Sequence, residues 1–247
     1  MIPKIIHYCW FGRGKMPELA LKCIESWKKY CPDYEIKEWN EDNFDLDIYS
    51  YVREAYDNRK FAFVTDVVRL YALYHEGGIY MDTDVEVLKP LDPFLSNVAF
   101  SGFENEIQVP TGIMASEKGG VWAKENLDYY KGRHFLKEDG TFDIETNVIV
   151  ITDYMLKRGL KQNNTYQDFP GLITFYPNDY FCPKSYVDGK IYKTDNTVSI
   201  HHFAGSWLPW EDQFMNRHRW MMKHFPHVFR YIMFLPMCKL RKFKILK

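Results

Sequence analysis

The first forty residues constrain the fold of this chain more than any later stretch. A short apolar run from Ile5 to Phe11 leads into a helical stretch from Pro17 to Tyr30, and a second strand-like run follows from Tyr34 to Trp39. Pro17 is tolerated in a first helical turn, and Leu21, Ile24, Trp27 and Lys28 recur at helical spacing. Cys31-Pro32-Asp33 then breaks the helix. A strand, a helix and a strand in succession predict a mostly parallel central sheet flanked by helices, an α/β architecture. Later segments extend the pattern. A helix from Phe61 to Glu76 ends at Gly77-Gly78, where a left-handed cap costs little. Strands are expected around Ile79–Met81, Val85–Leu88, Val98–Ser101, Ile113–Ala115, Leu172–Tyr176 and Val198–Phe203. Helices are expected near Gly120–Tyr130, Thr146–Arg158 and Trp210–Phe225. No repeat, low-complexity tract or Pro/Gly/Ser linker divides the chain. One α/β domain over residues 1–224 with a short basic helical appendage over 225–247 is the expected organisation.

At 247 residues the chain can bury a large core, and 46% hydrophobic with 26% charged residues is the balance of a folded globular protein. Aromatic residues make up 17%, which suits both core filling and stacking on ring-shaped ligands. The five cysteines are odd in number and show no C-x-x-C spacing. They read as reduced thiols of a cytosolic protein, with no disulfide framework and no zinc site. No signal peptide is expected, because Pro3 to Trp10 reads as a first strand. No apolar run approaches the roughly 20 residues of a spanning helix.

Charge is distributed unevenly. Residues 1–212 carry 23 Lys and Arg against all 33 acids, whereas the rest of the chain carries nine bases and no acid. Tyr231 to Cys238 is apolar and is followed by Lys239, Arg241, Lys242, Lys244 and Lys247. Such a segment fits either an anionic membrane surface or a packed helix with a solvated basic end. On the membrane reading, deleting residues 226–247 weakens binding to anionic liposomes, and unchanged binding would return the tail to ordinary packing.

Three groups of residues carry the chemistry. The first is Tyr80-Met81-Asp82-Thr83-Asp84-Val85, with two carboxylates one residue apart between apolar strands. Such a turn can hold a hard divalent cation, and the cation can clamp a diphosphate. Solvated turn acids are the plain alternative. The second is Asp66 and Arg69, three apart on one helix face. A carboxylate there could bind a sugar hydroxyl while the guanidinium neutralises phosphate; a local ion pair worth a few tenths of a kcal/mol is the other reading. The third is His201-His202-Phe203-Ala204-Gly205-Ser206-Trp207. Because strand neighbours point to opposite faces, one of the two His residues should reach a cation held by Asp82 and Asp84.

Together, Ile2 to Gly12, Ala62 to Arg69 and Gly77 to Asp84 resemble family 32 of the glycosyltransferases, and they are similar to the glucosyltransferase domain of large clostridial toxins. The resemblance is strongest over residues 2–95 and returns at His201–Trp207. It implies a GT-A fold and retaining, divalent-metal-dependent transfer of a hexosyl unit from a nucleotide-diphosphate sugar, with UDP-sugars favoured and Mn²⁺ or Mg²⁺ as the ion. By matching position it implies that Trp10 stacks on the nucleobase and that Asp66 and Arg69 grip the donor sugar. His7 and Tyr80 would line the donor pocket, and Ser206 and Trp207 would hold the diphosphate. Asp82 and Asp84 correspond to the metal pair. His202 is preferred over His201 as third ligand, because the spacing from His202 to Gly205 is similar to that of a metal-binding His in bacterial galactosyltransferases. Glu145, Asn147 and Thr111-Gly112 are weaker candidates around the sugar and acceptor. The resemblance further implies a saccharide or lipid-linked saccharide acceptor in capsule or O-antigen synthesis. The short chain and its basic tail point to a cytoplasmic enzyme peripheral to the inner face of a bacterial membrane, with no nucleic-acid partner.

Rival readings come from other classes. A haloacid-dehalogenase-type phosphatase also places Asp-x-Asp after a strand, but here Glu86 stands where that pattern has Thr or Val. A non-catalytic sugar-binding module would be marked by a broken acid pair or a missing Arg, and both are intact. A protein-modifying, toxin-like glycosyltransferase is the remaining alternative.

Overall fold

The computed structural model describes residues 1–185, 188–205, 214 and 225. In chain order the strands are β1 (Ile5–Cys9), β2 (Glu35–Trp39), β3 (Gly78–Met81), β4 (Val85–Val87), β5 (Ala99–Gly102), β6 (Ile113–Ser116), β7 (Gln167–Phe169), β8 (Ile173–Tyr176) and β9 (Ser199–His201). The helices are α1 (Glu18–Tyr30), α2 (Ser50–Asp57), α3 (Phe61–His75), α4 (Val121–Asp128), α5 (Asn147–Leu156) and α6 (Asn178–Phe181). Seven strands form one sheet in the order β2-β1-β3-β6-β5-β8-β7, and β4 pairs with β9 in a separate antiparallel ribbon. Five of the seven sheet strands share one direction; β6 and β7 run against it. The expected mostly parallel α/β sheet flanked by helices is therefore what the chain forms.

Side-chain alternation sorts the core onto the two faces of this sheet. Ile6 and Tyr8 of β1, Ile79 and Met81 of β3, and Ile113 and Ala115 of β6 join a cluster with Trp27 and Ile24 of α1. The intervening Cys9, Tyr80 and Met114 join a second cluster with α2, α3, α4 and α5. Trp27 is wholly buried, and its indole N–H donates to the Val85 carbonyl at 2.7 Å. The Val87 N–H donates to Ser26 Oγ at 2.9 Å. Helix α1 thus anchors β4, the strand that immediately follows the two acids.

Local chemistry explains the element ends. The Gly77 N–H donates to the Leu73 carbonyl, and Gly77 and Gly78 take φ of 72° and 106°, the expected left-handed exit. A Cβ on Gly78 would lie 2.7 Å from the Ile5 carbonyl oxygen. The first strand stops at Cys9 rather than Phe11. Gly12 and Arg13 turn with φ of 91° and 54°, and the Gly12 N–H is taken by Glu41 Oε1 at 2.6 Å. Helix α2 falls in a stretch the sequence reading leaves unassigned; it is short and buries only Tyr51, Val52 and Ala55.

The chain divides into two compact units, one of residues 1–185 with 191–202 and the other of 186–190 with 203–247. In the second, Phe203 and Gly205 both adopt positive φ. The expected helix over Trp210–Phe225 and the basic appendage lie outside the described residues, apart from Phe214 and Phe225. Among the described residues no helix is long and apolar enough to cross a membrane, and the four described cysteines are buried and free.

Candidate active site

Sheet topology brings the candidate residues to one edge. Strands β1, β3 and β5 run the same way, so Trp10, Asp82 and Glu104, which follow them, emerge at their carboxyl ends. Strand β6 runs back from that edge, so Thr111 and Gly112, which precede it, begin there too. In open α/β sheets this edge is where ligands bind. The β4–β9 ribbon adds the remaining piece, pairing Val85 with His201 across more than a hundred residues of chain.

At the centre stand Asp82, Asp84 and His201, each offering a ligand atom, all within 4.8 Å of one another. His201 Nε2 lies 3.4 Å from Asp84 Oδ1 and 3.9 Å from Asp82 Oδ2. The two oxygens of Asp82 have different surroundings. Oδ1 accepts from the Tyr80 hydroxyl at 2.9 Å and faces Arg69 Nη2 at 3.3 Å, whereas Oδ2 faces His201. Gly112 keeps the space beside this pair open. A Cβ there would lie 3.1 Å from Asp82 Oδ2 and 3.2 Å from His201 Cε1. Thr111 Oγ1 next to it is buried with no hydrogen-bond partner among the described residues. Two carboxylates, one imidazole and a gap that a methyl group would fill make a donor set that fits a divalent ion such as Mn²⁺.

His201 faces the acids, whereas the family spacing favoured His202. His202 follows by one residue and so points to the other face of the ribbon, where its Nε2 meets Glu86 Oε2 at 2.9 Å. Its backbone N–H donates to the Asp84 carbonyl. Burial works against charge on His201, but the Asp84 carboxylate outweighs it and holds the imidazole pKa well above its ordinary value.

Arg69 is the hub behind the acids. Its Nη2 lies 3.3 Å from Asp66 Oδ1 and 3.3 Å from Asp82 Oδ1, and its guanidinium carbon lies 4.8 Å from the centre of the Tyr80 ring. Burial opposes its charge, while Asp82, Tyr80 and Asp66 sustain it. Asp66 is nearly buried, which pushes its carboxyl up to about 6, opposed by Arg69 and by the Asn147 N–H. That N–H, the first of α5, donates to Asp66 Oδ2 at 3.3 Å. Asn147 Nδ2 donates to the Asp66 carbonyl, and Asn147 Oδ1 accepts from Tyr130. Asp66 therefore caps α5 from another helix, where a negative charge is favoured.

The other expected residues fall in different places. His7, expected in the donor pocket, is fully buried here: Nδ1 accepts from the Trp39 indole at 3.1 Å, and Nε2 therefore donates to the Gly77 carbonyl at 2.7 Å. Trp10 is half-buried just past β1 and gives its indole N–H to the Gly14 carbonyl. Tyr80 is buried and orients Asp82. Glu145 is engaged with Tyr129 at 2.7 Å. Ser206 and Trp207 lie outside the described residues.

Two site residues escaped the sequence reading. Glu104 follows β5 and is partly buried; burial raises its carboxyl pKa, with His201 and Arg69 opposing and Asp82 and Asp84 reinforcing, so it shares the field of the site. Only its position three residues past a predicted strand could have flagged it. Lys184 donates from Nζ to the His202 carbonyl at 2.5 Å, and burial lowers its pKa against the pull of Asp84. No motif marks it.

Residues 17–101 match the glycosyltransferase sugar-binding region containing the DXD motif. The chain is 32% identical to inositol phosphoceramide mannosyltransferase 1 of Schizosaccharomyces pombe over 81% of its own length and 65% of the relative's. It is 33% identical to inositol phosphoceramide mannosyltransferase 3 of the same organism over 48% of this chain and 34% of that one. It thus spans about two thirds of the first of these relatives and about a third of the second. Among solved structures it is similar to a glycosyltransferase involved in glycosylation of the PBCV-1 major capsid, at 15% identity and a TM-score of 0.48 over 87% of this chain and 98% of that one. It is also similar to the PaToxG glycosyltransferase, at 19% identity and a TM-score of 0.45 over 64% and 71%. The matched region holds Asp66, Arg69, Asp82 and Asp84. The likeness to the sugar-binding region containing the DXD motif is thus carried by residues 17–101, in keeping with the resemblance to family 32.

Proposed function

We propose that the protein transfers a hexosyl unit, with retention, from a nucleotide-diphosphate sugar to a saccharide acceptor, and that Asp82, Asp84 and His201 hold the divalent ion. The convergence of these three side chains, with Arg69 against Asp82, carries the reading. When bound, the ion supplies positive charge for the donor diphosphate.

The chain's own residues do the rest. Tyr80 and Arg69 occupy one oxygen of Asp82, so the other keeps a single orientation. Asp66, held by the start of α5, fixes Arg69 in turn and presents a carboxylate for a sugar hydroxyl. Trp10 is the nucleobase platform. As the bond from anomeric carbon to phosphate oxygen breaks, the acceptor oxygen attacks the same face and its proton passes to the departing phosphate. Preorganised positive charge at that phosphate lowers the barrier most. The names of the yeast relatives, which pair mannosyl transfer with an inositol phosphoceramide, support a lipid-linked acceptor and bring GDP-mannose beside the UDP-sugars as donor.

The test is a thermal-shift and calorimetric panel of UDP- and GDP-sugars, with and without Mn²⁺. Mn²⁺-dependent stabilisation by one donor is expected. Asp84→Asn is expected to stay folded and lose transfer, and wild-type turnover by a folded Asp84→Asn variant would remove the metal role.

A further inference from the structure

The loop after α6 brings a lysine to the acids that no motif of the sequence announces. Lys184 follows Cys182 and Pro183, and its backbone bridges to Ile191. Its ammonium donates to the His202 carbonyl at 2.5 Å. The N–H of that same His202 donates to the Asp84 carbonyl, and β9 carries His201 on the preceding residue. Lys184 is therefore one residue removed, through bonds seen in the structure, from both Asp84 and His201.

An ammonium has three N–H donors. Among the described residues, Lys184 spends one, on the His202 carbonyl. No carboxylate of the described residues stands within ion-pair distance of it, although the Asp84 charge is felt there. A half-buried lysine without a salt-bridge partner is costly unless something anionic completes it. The acid whose charge reaches Lys184 is Asp84, which stands with Asp82 and His201 in the candidate metal set. A ligand meeting this site must therefore satisfy both a cation-binding acid set and a lone ammonium. A metal-bound diphosphate does both.

We propose that Lys184 is a binding residue for the donor's diphosphate, using its remaining N–H donors on phosphate oxygens while the third ties down the end of β9. This rests on the nucleotide-sugar reading of the site. The lysine supplies a fixed positive charge from the protein, separate from that of the ion, and it comes from the loop at 182–185.

The experiment measures binding of UDP and of GDP in the presence of Mn²⁺, and of Mn²⁺ alone, by calorimetry on the full chain. Wild type, Lys184→Gln and Lys184→Arg are compared. Lys184→Gln is expected to weaken binding of the preferred nucleoside diphosphate by about 10- to 100-fold, the range for a charge-assisted hydrogen bond. Its Mn²⁺ affinity should change less than about threefold, and Lys184→Arg should recover most of the loss. Equal weakening of Mn²⁺ and nucleotide binding in Lys184→Gln would reduce Lys184 to a tether for the His201 strand and overturn the proposal. So would unchanged nucleotide binding. If wild type binds Mn²⁺ but neither nucleotide, the nucleotide-sugar reading itself fails, and the proposal falls with it.

Discussion

His7 provides the sharpest test of whether a motif residue binds ligand or supports the fold. Its ring is fully buried between β2 and the exit of α3, with both nitrogens hydrogen-bonded to protein. His7→Leu roughly preserves volume but strips the Trp39 indole N–H and the Gly77 carbonyl of their partners. Each buried orphan costs about 1–3 kcal/mol, so about 2–6 kcal/mol of stability should be lost. A pH effect accompanies it. Burial lowers the His7 pKa below its ordinary 6.5, with the Gly77 bond and Glu76 only partly opposing. Below pH 6.5 the unfolded chain takes up a proton that the folded chain refuses. The stability tied to neutral His7 is thus fully present above 6.5 and is lost as pH falls through and below it. One unit lower, this amounts to at most about 1.4 kcal/mol. Urea denaturation of wild type and His7→Leu at pH 7.5 and 5.5 would measure both effects. The variant should be less stable at both values and show the smaller loss on acidification. Donor KM, measured where the variant is still folded, should stay within about threefold of wild type. A variant of wild-type stability with a tenfold higher donor KM would return His7 to the donor pocket and refute this account.

Three further substitutions address the metal set. His201→Asn should lower Mn²⁺ affinity by at least about tenfold while His202→Asn changes it by less than about threefold, as read by calorimetry; the reverse order would restore His202 as the ligand. Gly112→Ala places a methyl group 3.1 Å from Asp82 Oδ2 and from Val85 Cγ2, so its neighbours must give by a few tenths of an ångström. Such overpacking costs about 1–3 kcal/mol, and because the strain falls between Asp82 and His201, Mn²⁺ affinity should drop as well. Undiminished affinity in a destabilised protein would place the ion elsewhere.

What the chain discloses before it is folded follows the range of the interaction concerned. The β1-α1-β2 opening, the α3 helix and its glycine exit are set by local periodicity and turn chemistry, and they form where expected to within a residue or two. Asp82, Asp84 and Arg69 lie within sixteen residues of each other, so their convergence could be read from one helix-to-strand turn. The choice between His201 and His202 could not. It depends on which face of a three-residue strand meets β4, a register set by pairing with residues more than a hundred positions away. Motif spacing favoured His202, whereas the pairing turns His201 to the acids. Likewise His7 sits inside a recognisable motif, yet its partners come from β2 and the end of α3. Glu104 and Lys184 enter only through sheet order, which puts the end of β5 and the loop after α6 at the same edge.

The ribbon that decides the histidine also gives the site a mechanical character. Each of its strands is three residues long, and among the described residues no strand pairing joins β9 to the seven-stranded sheet. β4 is held by α1 through Trp27 and Ser26, while β9 leans on β4, on α6 through the Ser199 hydroxyl and on Lys184. A cation shared by Asp82, Asp84 and His201 would link the ends of β3 and β9 directly. Since binding to the folded arrangement alone stabilises it, the ion should act as a clamp on the least supported strand. Hydrogen exchange checks this without any turnover. Mn²⁺ should slow exchange of the amides in Val85–Val87 and Ser199–His201 while leaving those of β1 and β2 unchanged. Protection spread evenly over the sheet would indicate general stabilisation instead, and no protection at the ribbon would mean that β9 does not carry a ligand.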